Sequence, residues 1–231
     1  MSHIYVPSRG PEDWQRLLAE PEKHWRDGYS AKMLAECWEA AGGFPETVRQ
    51  AFEVSGIEAF EGIEPLLILP EYQTPLPGGS RPSQTDVFVL AKARGGLIAI
   101  AVEGKVEEPF GPTVAEWLVG ASSGKRKRLD FLGETLGLDV GGLGPIRYQL
   151  LHRTASAVIE AKRFTAAHAV MLVHSFNPSR TWFEDYAAFV TAMGGRAAAG
   201  VVFHLPSHDN ITLGCGWVSE EPTSREDEAP Q

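Results

Sequence analysis

Two apolar segments joined by a short glycine turn constrain the fold more than any other part of the sequence. The segments are DVFVLAKA, residues 86–93, and LIAIAVEGKV, residues 97–106, and the turn lies within ARGG. Short apolar runs separated by a tight turn predict an antiparallel β-hairpin. If the turn is centred in the middle of ARGG, Leu90 faces Ala99, and this pairing of a large with a small side chain supports the register.

The same register places two carboxylates, Asp86 and Glu103, opposite each other, with Cβ atoms about 5 Å apart. Like charges in this arrangement destabilise a sheet unless the pKa of one acid is raised or a cation binds between them. Because side chains alternate along a strand, Lys105 shares the face of Glu103, and Gly104 lies on the other face. The pattern predicts Mg²⁺ (or Mn²⁺) bound by Asp86, Glu103 and the backbone carbonyl of Gly104, with Lys105 positioning a nucleophile.

The remaining segments predict an α/β protein with a mixed sheet. Before the hairpin we expect helices over 12–19, 31–41 and 46–56 and a strand over 65–73. After it we expect helices over 146–164 and 182–193 and strands over 167–176, 198–206 and 211–218. A single domain is predicted over residues 1–218, with its core at about 30–205, and residues 219–231 are expected to form an acidic, disordered tail.

The motif Asp86 … Glu103-Gly104-Lys105, on two consecutive strands, resembles the PD-(D/E)XK nuclease superfamily. The matching elements cover roughly residues 30–205, and the sequence departs from the family pattern in having no proline directly before Asp86. The resemblance implies a restriction-endonuclease-like αβββαβ core, with a mixed central sheet flanked by helices and extra N-terminal helices. It also implies Mg²⁺-dependent hydrolysis of phosphodiester bonds in DNA or RNA.

The resemblance suggests three further site residues. On the long predicted helix, Gln149 and Arg153 share one face because they are four residues apart. If that face looks toward the site, Gln149 orients a water molecule and Arg153 contacts phosphate; the alternative is a solvated helix face. On an N-terminal helix, Glu36 is a candidate for the extra acid that some of these nucleases contribute to the metal. The alternative for Glu36 is an ordinary surface glutamate.

The charge pattern leaves a second function open. The net charge of −9 argues against a protein that binds nucleic acid non-specifically along its backbone. One basic run, which includes Lys125 and Arg126, is a candidate substrate-binding patch or a solvated helix face. Two further hypotheses therefore stand beside the nuclease. One is a non-catalytic binding or regulatory protein that retains the nuclease-like fold, and the other is an edge ion pair between Glu103 and Lys105.

Several features predict a cytoplasmic protein without a membrane segment. No run approaches the roughly 18 apolar residues that a membrane span needs, and the N-terminus has no signal-peptide pattern. The two cysteines, Cys37 and Cys215, lack the spacing of a disulfide framework or a zinc site. Nucleic acid is the expected partner, and a homodimer is compatible with a nuclease that cuts both strands of a duplex.

Overall fold

A computed structural model of the protein describes residues 3–6, 8–206 and 209–220. The helices are α1 (Pro21–His24), α2 (Ser30–Ala41), α3 (Glu46–Glu53), α4 (Val114–Trp117), α5 (Ser123–Leu136), α6 (Tyr148–Arg163) and α7 (Phe183–Ala192). Short 3₁₀ helices cover Pro11–Leu17, Glu58–Phe60 and Val140–Gly142. The strands are β1 (Glu64–Thr74), β2 (Ser83–Ala93), β3 (Gly96–Lys105), β4 (His168–Ser175), β5 (Val202–His204) and β6 (Thr212–Ser219).

The six strands form one mixed sheet in the order β1-β2-β3-β4-β6-β5. The pairs β1/β2, β2/β3 and β5/β6 are antiparallel, and β3/β4 and β4/β6 are parallel. The predicted hairpin register is confirmed, since Leu90 pairs with Ala99 and Val87 pairs with Val102. β3 lies between β2 and β4, so its charged end is inside the sheet, and the edge ion pair expected as one alternative is wrong.

Helices cover both faces of the sheet, and the alternation of side chains along β2 and β3 supplies both cores. Phe88 and Ala101 point toward the side of α5, α6 and α7, where the larger core lies. Val89 and Ile100 point toward the side of α2 and α3. Every residue from Ile98 to Lys105 is buried, which explains why this segment reads as an almost continuous apolar run.

The elements differ from the predicted ones in several places; for example, the strand predicted over 198–206 covers only Val202–His204. A helix, α5, occupies Ser123–Leu136, so the basic run lies on a helix, as one of its two interpretations had it, although no bounds were predicted for this helix. Ser122 caps α5 by accepting a hydrogen bond from the Lys125 amide. The first predicted helix is a 3₁₀ helix. The folded part extends beyond residue 218, because β6 ends at Ser219 and the Glu220 amide donates to the Ser175 carbonyl. The rest of the predicted tail, 221–231, lies outside the described residues.

In the described part of the chain, no helix is both long and apolar enough to cross a membrane. Cys37 and Cys215 are both free thiols, and Cys215 is fully buried. The burial of the Cys37 thiol raises its pKa to about 12. Burial also raises the pKa of the Cys215 thiol, so neither thiol is ionised near neutral pH.

Candidate active site

Asp86 and Glu103 lie side by side on the α6 face of the sheet, as the hairpin register predicts. Asp86 is one position beyond the Val87–Val102 pair, so it faces Glu103 across the two strands. The backbone amide of Gly104 donates to Asp86 Oδ2 at 2.8 Å, which holds the carboxylate against the end of β3. The two acids thus come from a local hairpin that the sequence already specifies.

Glu103 is the centre of a buried network that joins β3 to α6. Its Oε1 accepts hydrogen bonds from Lys105 Nζ at 2.7 Å and from Gln149 Nε2 at 2.6 Å. Its Oε2 accepts from Arg153 Nε at 2.5 Å, and Arg153 Nη2 lies 3.7 Å from Asp86 Oδ1. The Glu103 and Lys105 side chains are each only 3% exposed. The structure therefore brings together the predicted motif residues with Gln149 and Arg153, and the solvated-face alternative for this helix is wrong.

A third carboxylate, Glu71, extends the row of acids onto β1. Pro70 pairs with Val87 and Tyr72 pairs with Thr85, so Glu71 lies opposite Asp86. Glu71 adopts a left-handed backbone conformation with φ of 52°, which is unusual for a residue with a side chain. Its carboxylate accepts a hydrogen bond from Gln84 Nε2 at 2.8 Å.

The sequence alone did not identify Glu71. The signal was an acidic residue within the first apolar strand. The pairing of this strand with β2 depends on the connecting segment, residues 75–82, whose geometry the sequence did not reveal.

The charges in this cluster perturb one another. Burial, and after it the neighbouring Glu103, raise the pKa of Asp86 to about 7. Burial and the charge of Asp86 raise the pKa of Glu71 well above its usual value. Burial also opposes the ionisation of Glu103, but Arg153 and Lys105 outweigh it and lower the pKa of this acid. Three carboxylates face two cationic side chains, so one negative charge lacks a partner unless a proton or a cation supplies it.

A cavity of about 600 Å³ lies over these side chains. The strand residues Glu71, Asp86, Glu103 and Lys105 line one wall, and α6 lines a second. The N-terminal segment lines a third wall with residues between Leu18 and Ala31.

Two polar groups on α6 add to this cavity. Gln149 Oε1 is buried and has no hydrogen-bond partner among the described residues. His152, which the sequence alone did not single out as a site residue, also lines the cavity. Its Nδ1 is 2.8 Å from Ser83 Oγ. Burial and the charge of Arg153 lower its pKa well below the usual value, so it is a neutral imidazole. Its position three residues after Gln149 was the available signal, because residues three apart share a helix face.

The other predicted site residues lie elsewhere. Glu36 is on the outer side of α2, with its side chain 49% exposed and 3.9 Å from Lys32, and it does not line the cavity. Lys125 donates to the Trp117 carbonyl at 2.7 Å and lies over the Trp117 ring. Arg126 is directed to the Ala121 carbonyl at 3.5 Å. Neither basic residue lines the cavity.

Gly104 has a packing role that the sequence did not show. A Cβ atom at this position would lie 2.3 Å from Leu34 Cδ1 and 3.2 Å from Ser30 Cβ. The glycine therefore lets α2 pack closely against β3 on the face opposite the carboxylates. Its amide meanwhile holds Asp86 on the other side of the motif.

A second group of ionisable residues lies on the α2 face of the sheet, where Cys37, His174 and Glu220 approach within 4.8 Å of one another. Trp38 Nε1 donates to His174 Nδ1 at 3.2 Å, so the imidazole hydrogen is on Nε2, which is 2.8 Å from Glu220 Oε1. A neutral imidazole that accepts at Nδ1 has no second lone pair for a metal. We therefore interpret this group as a hydrogen-bonded network that holds Glu220 against the fold.

The fold and the cavity define a mixed α/β protein with a buried cluster of carboxylates and cations at the base of a cavity. The chain belongs to the family described as a domain of unknown function (DUF6946), which matches residues 7–222. No match was found among curated proteins or among solved structures.

Proposed function

We propose that this protein is a metal-dependent phosphodiesterase of the PD-(D/E)XK type that acts on DNA or RNA. The observation that carries the proposal is the buried pairing of Asp86 and Glu103 beside Lys105 at the base of the cavity. The order of α2, the antiparallel strands β1 to β3, α6 and the parallel strand β4, with further helices before β1 and between β3 and α6, supports the restriction-endonuclease-like fold that we propose.

The residues at the base of the cavity fit a hard divalent cation such as Mg²⁺ or Mn²⁺. Asp86 and Glu103 offer carboxylate oxygens, the type of ligand such ions prefer, and we assign the Gly104 carbonyl as the third protein ligand. The buried Gln149 Oε1 is an acceptor that a water molecule in the cavity would satisfy. When bound, the cation would lower the pKa of the attacking water and stabilise the negative charge that develops on the phosphate.

The side chains of the protein then have distinct roles. Lys105 Nζ, held by Glu103 at 2.7 Å, presents a positive charge that aligns the attacking water. Gln149 donates to Glu103 through Nε2, which leaves Oε1 as an acceptor that orients the same water. Arg153 is anchored by Glu103 and by Ser83 Oγ at 3.1 Å, so its guanidinium is preorganised to contact a phosphate oxygen.

Labelled DNA and RNA, single-stranded and duplex, are incubated with the protein and Mg²⁺ or Mn²⁺. The variants are Asp86→Asn and Lys105→Met, and Glu36→Gln is the matched control because Glu36 is an exposed acid outside the cavity. We expect cleavage to fall by about 100-fold in both site variants and to stay unchanged in the control. Circular dichroism checks that each variant is folded. Cleavage that survives equally in both site variants would refute the proposal.

One observation favours a second candidate, a binding or regulatory protein that keeps the fold without turnover. The Arg153 guanidinium lies between the two carboxylates, 2.5 Å from Glu103 and 3.7 Å from Asp86, and therefore supplies positive charge where we assign the cation. Calorimetric titration with Mn²⁺ separates the two candidates. Absence of binding at millimolar Mn²⁺ would favour the non-catalytic protein. We further propose that the protein acts in the cytoplasm, and gel filtration tests whether it forms a homodimer.

A further inference from the structure

Tyr29 is a partly exposed aromatic residue that lines the cavity. It directly precedes α2, and the residue is 39% exposed. Its ring makes no stacking or edge contact with an aromatic residue in the described part of the chain. A tyrosine ring offers a flat apolar face on which a planar ligand can stack.

The other large aromatic side chains of the cavity wall are already engaged. Phe110 is fully buried and lies under Lys105 Nζ, at 4.9 Å from the ring centroid. Tyr148 stacks on Trp117 with ring centroids 4.0 Å apart and planes inclined by 10°. Among the described tyrosine and phenylalanine residues that line the cavity, Tyr29 is therefore the one that makes no ring or cation–π contact and is partly exposed.

The position of Tyr29 relative to the motif is firmly held. The next residue, Ser30, donates its amide to Glu108 Oε1 at 3.2 Å. Ser30 also packs beside Gly104, since a Cβ at Gly104 would lie 3.2 Å from Ser30 Cβ. Tyr29 is thus one residue away from a direct contact with the segment between Glu103 and Lys105. Tyr29 and the motif residues Glu103 and Lys105 line the same cavity.

We propose that the cavity takes an unpaired nucleotide, with its base stacked on Tyr29 and its phosphate directed at Lys105 and Arg153. This inference rests on the proposed function and adds the substrate class, a single strand or a frayed end rather than an intact duplex. A stacking aromatic beside cationic side chains is the usual arrangement in sites that bind single-stranded nucleic acid. A base in a duplex is paired and stacked on its neighbours, so its face is not available to Tyr29.

Binding is measured by fluorescence anisotropy of full-length protein with labelled oligonucleotides in Ca²⁺. The probes are single-stranded DNA, single-stranded RNA, a blunt duplex, and a single strand with abasic sites. The variants are Tyr29→Ala and Tyr29→Phe, and the control is Tyr5→Ala, because Tyr5 is 67% exposed but does not line the cavity. The DNA and RNA arms show which sugar the site accepts.

We expect a single strand to bind about tenfold more tightly than the duplex, and Tyr29→Ala to lose about tenfold on the strand with bases. The abasic strand should bind equally to the wild type and to Tyr29→Ala, and Tyr29→Phe and Tyr5→Ala should match the wild type. Equal binding of duplex and single strand, an equal loss on the abasic strand, or no binding of any probe would each overturn the inference.

The failure of this inference is distinguishable from failure of the proposed function. Duplex cleavage that depends on Asp86 but not on Tyr29 would overturn the stacking role and leave the hydrolytic function standing. Single-strand binding that depends on Tyr29, without cleavage in Mg²⁺ or Mn²⁺, would overturn the hydrolytic function and leave the stacking role standing.

Discussion

The replacement of Asp86 by asparagine tests the electrostatics of the candidate site without changing its shape. The amide oxygen of asparagine still accepts the hydrogen bond that the Gly104 amide donates to Asp86. The substitution removes a carboxylate that can ionise. In the wild type, burial and Glu103 raise the pKa of Asp86 from 3.8 to about 7. The ionised carboxylate therefore destabilises the folded protein without a cation, and Asp86→Asn removes that contribution.

The sign and the size of the effect follow from linkage. Between pH 3.8 and about 7 the unfolded chain has released the Asp86 proton while the folded protein keeps it, so stability falls as the pH rises. Each pH unit in this range costs about 1.4 kcal/mol. From pH 5 to pH 8 the free energy of unfolding of the wild type should fall by roughly 2–3 kcal/mol more than that of Asp86→Asn. The pKa of Glu71 is also raised, by burial and by the charge of Asp86, so its ionisation lowers the stability of the wild type in the same direction as the pH rises.

The assay is urea unfolding followed by tryptophan fluorescence at pH 5, 6.5 and 8, in EDTA. Asp130→Asn is the matched control, because Asp130 is an exposed aspartate on α5. Saturating Mn²⁺ should abolish most of the pH-dependent loss in the wild type, because a bound cation favours the ionised carboxylate. If Asp86→Asn and the wild type lose the same free energy between pH 5 and pH 8, the reasoning is refuted.

Two further substitutions test the surroundings of the motif. Arg153→Met should lower the free energy of unfolding in EDTA by about 3 kcal/mol, because it leaves Glu103 with one cationic partner. The same variant should bind Mn²⁺ more tightly in calorimetry, and weaker binding would contradict our cation assignment. Gly104→Ala should cost about 1–3 kcal/mol in urea unfolding, because its Cβ would overlap Leu34. Gly142→Ala is its control, since no atom lies within 4 Å of a Cβ there, and an equal loss in both would contradict the packing argument.

Much of the candidate site could be predicted because it depends on contacts that are local in sequence. The turn between β2 and β3 is short, so it determines which residues pair, and the pairing brings Asp86 beside Glu103. Alternation along β3 then separates Lys105 from Gly104. The spacing of Gln149 and Arg153 places them on one helix face, but only the packing of α6 against the sheet shows that this face meets Glu103.

Other parts could not be predicted because they depend on long-range packing. Glu71 reaches Asp86 through the β1/β2 register, which includes a shift between Pro65 and Leu67 and a left-handed residue at Glu71 itself. Glu36 was a candidate ligand because the resemblance suggested an extra acid from an N-terminal helix, and helix α2 does approach β3. The approach, however, is through Leu34, and Glu36 points away from the cavity.

The sequence by itself determined the hairpin, the acidic pair at its end and the lysine two residues later, because a tight turn and strict alternation leave little freedom over so short a segment. Only the tertiary structure decided what surrounds that pair. The packing of α6 places Arg153 between the two acids, and the β1 register adds a third carboxylate. The N-terminal segment, which no local pattern linked to the motif, lines one wall of the cavity and includes Tyr29. These contacts join residues far apart in the chain, and their geometry follows from how whole elements pack.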